Sequence, residues 1–150
     1  MIPNGVSEIG ESAFSFNRGI KSVVIPDSVI KIGSNAFCNC RELQNVKIGN
    51  GVQSIDYAAF CYCIKLTNIT IPESVERIDG LAFMDCSSLS KVVIKNPEIS
   101  FGKQVFDGCP LKVDPSNKIL SKAFLFGISG LEVSHVDDSQ LPDHVKFNGK

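Results

Sequence analysis

The chain has 150 residues, 43% of them hydrophobic, and a formal net charge of -1. This apolar content suffices for one compact domain, and the balanced charge excludes the basic footprint of a nucleic-acid or polyanion binder. No run of about 18 apolar residues is present to span a bilayer, and Met1-Ile2-Pro3 lacks the basic and apolar regions of an export signal, so the signal of an exported protein would lie upstream of it.

From its first residues the chain repeats every 23 positions. The restarts are Ile2-Pro3, Ile25-Pro26, Ile48-Gly49, Ile71-Pro72 and Ile94-Lys95. Each is followed at a fixed distance by Phe14, Phe37, Phe60, Phe83 or Phe106, and then by Asn17, Cys40, Cys63, Cys86 or Cys109. A fixed period of this size marks a stacked array, because a unit this short cannot bury its own apolar face and must share a core with its neighbours.

Within one unit the elements follow from local chemistry. Leu43 through Val46 to Ile48 ends in period-two alternation with β-branched residues, which predicts a short strand with Val46 and Ile48 turned inward. Proline after the strand in most copies removes a backbone donor, so the strand should stop there and the stretch from Asp27 to Ile32 should run irregular or briefly extended. After Gly33, Phe37 and Cys40 stand three apart, the spacing of a single helical or 3₁₀ turn. Strands stacked about 4.8 Å apart would make five to six coils roughly 25 to 30 Å long.

The unit I-P-x-x-V-x-x-I-G-x-x-A-F-x-x-C-x-x-L-x-x-V resembles the leucine-rich repeats of the Treponema or BspA-like type, reproduced almost fully from Ile25 through Phe37, Cys40, Leu43 and Val46 and again from Ile48 and Ile71. The resemblance covers residues 2 to about 113. It implies an α/β leucine-rich-repeat solenoid, a short right-handed horseshoe with a parallel β-sheet on the concave face and irregular or 3₁₀ turns on the convex side. It also suggests a microbial cell-surface or secreted adhesion protein.

Five repeats are expected over 2–113, the last distorted because Pro97 and Ile99 break the usual spacing and Leu111 arrives one residue early. Val113-Asp114-Pro115-Ser116-Asn117 resembles the segment with which such proteins enter an irregular repeat, expected over 114–140. Leu141-Pro142-Asp143-His144-Val145 echoes Ile25-Pro26-Asp27-Ser28-Val29, which makes 141–150 the start of a further, truncated repeat, so the chain reads as a segment of a longer array.

Chemistry-bearing residues are few. Cys38, Cys40, Cys61 and Cys63 form two C-x-C pairs that could be drawn as a zinc site or as disulfides. A ladder of small buried thiols at the repeat position of Cys40, Cys63, Cys86 and Cys109 is the favoured reading, with Cys38 and Cys61 as the exposed thiols. Ser134-His135-Val136-Asp137-Asp138 holds hydrolase residue types, but residues adjacent in sequence rarely reach triad geometry. Asn68-Ile69-Thr70 fits the glycosylation rule, as chance allows. The expectation is a non-catalytic chain with no cofactor and no bound metal.

If Val23, Val46, Ile69 and Val92 point into the core, alternation places Ser22, Val24, Asn45, Lys47, Asn68, Thr70, Lys91 and Val93 on the opposite, concave side of the sheet. Such extended faces bind other macromolecules. The expected partner is a protein, with host or extracellular-matrix proteins suggested by the family resemblance. A spacer array carrying a functional domain elsewhere is the rival reading, and a metal-binding or hydrolytic protein a remote third.

Overall fold

The computed structural model describes residues 2–111. The irregular repeat expected over 114–140, the restart at 141–150, and His135 and His144 lie outside the described residues. The elements in chain order are β1 (Glu8–Ile9), β2 (Ser22–Ile25), β3 (Lys31–Ile32), β4 (Asn45–Ile48), β5 (Ser54–Ile55), β6 (Asn68–Ile71), β7 (Arg77–Ile78), β8 (Lys91–Ile94) and β9 (Ser100–Phe101). All pairings are parallel and join positions one repeat apart, as in Ile32↔Ile55 and Val23↔Val46. The result is a parallel β-solenoid of about four turns.

Each coil contributes two strands, not one. The long strands behave as their alternation predicts, with Ile25, Ile48, Ile71 and Ile94 buried and their neighbours exposed. The short strands assemble into a continuous sheet in the order β1-β3-β5-β7-β9, so Lys31–Ile32 is paired chain rather than a loose connection. The long strands do not form one sheet. β2 pairs with β4 and β6 with β8, but no ladder joins β4 to β6.

Proline removes one donor from that seam. Lys95, which follows β8, donates its N–H to the Ile71 carbonyl at 3.1 Å. Gly49, which follows β4, also retains an N–H, whereas Pro72 follows β6 and has none to offer Ile48. No bond from the Thr67 N–H to Gln44 matches those from Gln44 to Lys21 and from Ser90 to Thr67, so the seam is also unpaired at the start of β6, away from Pro72.

The expected helical turn is corrected, and no helix occurs among the described residues. From Gly33 to Cys40 alternate N–H groups are used differently. Ala36, Cys38 and Cys40 donate back three residues within the turn, at 3.1 Å each, while Asn35, Phe37 and Asn39 donate outward to Tyr57, Ala59 and Cys61 of the next coil at 2.9, 2.7 and 2.8 Å. A helix would turn all of these donors inward. Facing every second one outward forces left-handed backbone, found at Ser12 and Phe16, Asn35 and Asn39, Ala58 and Tyr62, Leu81 and Asp85, and Gln104 and Gly108.

Only Gly108 adopts this conformation without steric strain; for most other residues it costs about 1 kcal/mol or more, which the inter-coil hydrogen bonds must offset. Asparagine tolerates it best among side-chain-bearing residues. Gln104 is exposed, with φ 55°, so Gln104→Asn relieves strain without touching the core. We expect a stability gain of about 0.5 kcal/mol, read as a raised thermal midpoint. A lowered midpoint would contradict the strain account.

The core is built of columns. Phe14, Phe37, Phe60, Phe83 and Phe106 stack with ring centroids 5.2, 5.1, 5.3 and 5.4 Å apart and planes within 13° of parallel. Beside them the thiols of Cys40, Cys63, Cys86 and Cys109 each donate to the carbonyl of the phenylalanine one coil earlier, at 3.1 to 3.3 Å. In the last described coil Ile99 occupies the place that Val75 fills one coil earlier. Its N–H closes on Asn96 as that of Val75 closes on Pro72, so the slot has moved by one residue. The shift is absorbed before Ser100, which pairs with Arg77 in the ordinary register.

On the short-strand side Asp56, only 8% exposed, stands where glycine occupies the equivalent position at Gly33. Lys31 and Arg77 flank its carboxylate at 3.4 and 3.6 Å, Lys31 also reaches Glu8 at 3.6 Å, and Arg77 meets Asp79 at 2.8 Å. The nearby Asp56 carboxylate holds the Lys31 ammonium above its ordinary pKa. This charge row ties neighbouring coils together on the face opposite the long strands.

Candidate functional site

All eight residues that alternation assigns to the outer side of the long strands are exposed. Parallel register sets Ser22 beside Asn45, Val24 beside Lys47, Asn68 beside Lys91 and Thr70 beside Val93. Val24 and Val93 keep 56% and 38% of their surface, which leaves apolar contact area within an otherwise polar face.

The face is not uniform. Asn68, Thr70, Lys91 and Val93 line an open depression of about 470 Å³ over β6 and β8, together with Thr67 and Ser90. Lys47, Asn68 and Thr70 line a second depression of about 380 Å³ at the β4/β6 seam, joined by Asn50, Pro72 and Lys95. Asn68 and Thr70 therefore belong to both. Asn45 lies apart from these, with Gln44, Lys65, Thr67 and Ser88. Ser22 and Val24 border a more apolar hollow of about 320 Å³ with Ile2, Phe14 and Ile20, where the phenylalanine column reaches its first coil.

Alternation alone missed Thr67, Ser90, Asn50 and Lys95. These sit just before or after a strand, and the 23-residue spacing already placed Thr67 and Ser90 in one column. At the edge of the face Lys65 pairs with Glu42 at 2.6 Å, and this hydrogen bond holds the Glu42 carboxyl below its usual range. Described ion pairs engage Lys31, Lys65 and Arg77, but not Lys47, Lys91 or Lys95.

The cysteines are core groups with one correction. Cys61 is buried at 5% exposure, so of the two thiols expected at the surface only Cys38 is partly open. Burial, reinforced by the neighbouring Cys38, pushes the Cys61 thiol up to about 12. Burial likewise raises Cys40 to about 11 and Cys86 well above its ordinary value. Among the described residues no group of three or more His, Cys, Asp or Glu is placed to hold a metal ion. Nor does any described helix have the length and apolarity to cross a membrane.

Comparison with known proteins agrees with this architecture. No curated protein matches the chain. Among solved structures, a leucine-rich repeat protein from Bacteroides capillosus is 40% identical, with a TM-score of 0.55, over 60% of this chain and 64% of its own. The leucine-rich repeat protein of T. pallidum is 28% identical with a TM-score of 0.68, over 75% of this chain and 56% of its own. A leucine-rich cell surface protein from Faecalibacterium prausnitzii is 30% identical with a TM-score of 0.64, over 93% of this chain and 32% of its own. The chain thus spans between 32% and 64% of these proteins' lengths. The family model of the BspA-type leucine-rich repeat region matches residues 1–114 in six copies. Stacked phenylalanines, a thiol ladder and parallel strands at one fixed period are the physical content of that match, and the chain belongs to the BspA-type leucine-rich repeat family.

Proposed function

We propose that the chain is a non-catalytic protein-binding module that holds a partner against its long-strand, concave face, within a microbial cell-surface or secreted protein. The observation that carries this reading is the set of exposed, in-register columns on β2, β4, β6 and β8, polar with scattered apolar contacts and two lysines. Repeat arrays use such extended faces for macromolecular partners, because area accrues coil by coil. The surface assignment draws on the Faecalibacterium prausnitzii cell surface protein to which the chain is similar.

A panel of purified extracellular-matrix proteins tests the reading by surface plasmon resonance. The variant Ser22→Glu, Asn45→Glu, Lys91→Glu, Val93→Asp changes four exposed face residues. It should weaken the tightest matrix interaction by more than about tenfold, or 1.4 kcal/mol, while its thermal midpoint stays near the parent's. Glu11→Lys with Lys103→Glu on the turn side is the control and should bind normally. If the face variant binds as well as the parent, the chain acts as a spacer or binds elsewhere.

A further inference from the structure

The unpaired seam between β4 and β6 is a feature that repetition alone does not predict, and we infer that the depression over it receives an aspartate or glutamate carboxylate from the partner protein. This rests on the reading of the long-strand face as the partner surface. In parallel strands alternate residues direct both backbone groups to the same side. Asn45 and Lys91 point toward the preceding coil, donating to Lys21 and Thr67 at 3.2 and 3.4 Å. By the same geometry Asn68 and Thr70 aim both their N–H and C=O groups at β4, where no ladder is formed.

The loss of pairing is confined to this edge. Phe37 and Phe60 stack across the same two coils at 5.1 Å, β3 pairs normally with β5, and the turn hydrogen bonds from Asn35, Phe37 and Asn39 run at 2.7 to 2.9 Å. The two coils are therefore pinned about one strand spacing apart, and an inserted strand of another chain would need roughly twice that. A side-chain group can meet this edge from the solvent side, through the depression that Lys47, Asn68, Thr70 and Lys95 line.

The chemistry of the lining selects its charge. Lys47 and Lys95 border the depression, neither joins a described ion pair, and no carboxylate lines it. Thr70 adds a hydroxyl and Asn68 an amide. Two ammonium groups with neutral donors suit a carboxylate, since charge-assisted hydrogen bonds are about twice as strong as neutral ones. The seam also lies beside the larger depression over β6 and β8, so a protein covering the face passes directly above it.

Fluorescent hexaglutamate, followed by anisotropy on the full chain, is the probe, with hexaglutamine and inorganic phosphate as comparisons. Lys47→Ala with Lys95→Ala should weaken hexaglutamate about tenfold, while Lys21→Ala with Lys103→Ala should change it less than about twofold. The inference is overturned if hexaglutamine binds as tightly, or if both lysine pairs lose affinity equally. Displacement of the peptide by inorganic phosphate at matched concentration would make this a small-anion site and overturn the assignment to a protein side chain. None of the four residues in the face variant above lines the seam. Loss of the matrix partner in that variant without hexaglutamate binding to the parent would defeat the seam and leave the face reading standing. The reverse pattern would defeat the face reading.

Discussion

Phe60→Ala should destabilise the chain by about 3 to 5 kcal/mol, the range for truncating a fully buried phenylalanine. Phe60 is 0% exposed and stacks on Phe37 at 5.1 Å and Phe83 at 5.3 Å, so its removal leaves a cavity bounded by two rings that the coil spacing holds in place. Those neighbours cannot collapse inward without breaking the outward hydrogen bonds of the turns, such as Phe60 N–H to the Ala82 carbonyl at 2.7 Å. The loss should therefore lie toward the upper end of the range. Urea denaturation measures it, and an unchanged midpoint would show that the column carries no stability.

Gly51→Ala should cost about 1 to 3 kcal/mol by overpacking, although its backbone needs no left-handed conformation. A Cβ at Gly51 would run into the Asp27 carbonyl oxygen and stand 3.2 Å from that of Val29, both backbone atoms of the preceding coil. Gly10→Ala provides the contrast, since a Cβ there meets nothing within 4 Å. That substitution should be neutral or slightly stabilising, because alanine reduces the freedom of the unfolded chain. Equal losses at the two sites in the same denaturation experiment would contradict close coil approach as the cause.

Legibility of the sequence followed from which features the period controls. The strands ending at Ile25, Ile48, Ile71 and Ile94, the phenylalanine column and the thiol column were readable because stacking demands the same side chain in every copy. The short-strand sheet was not, since pairs such as Lys31–Ile32 are too brief to show alternation. The turn misled because Phe37 and Cys40 keep a helical spacing while the left-handed positions beside them hold Ala58, Tyr62 and Leu81, types that carry no signal for that conformation. Cys61 carries no clear signal either, since following a buried phenylalanine does not by itself turn the next side chain to solvent.

The face itself was partly legible. Alternation found the exposed strand residues, yet the seam required knowing which backbone donors cross to the neighbouring coil. Pro72 is legible as a strand terminator, but the donor it removes belongs to the seam between β4 and β6. The charge of the seam also depends on Lys95, which occupies the slot held by proline or glycine in the earlier copies.

Native-state thiol labelling followed by mass mapping tests the central claim, that repeat positions stack into buried columns, most directly. At mildly alkaline pH Cys38 should be alkylated first. Cys40, Cys61, Cys63, Cys86 and Cys109 should resist, being buried and, for Cys40, Cys61 and Cys86, raised in pKa. Modification of Cys63 and Cys86 as fast as Cys38, without denaturant, would contradict the stacked core and the face built on it.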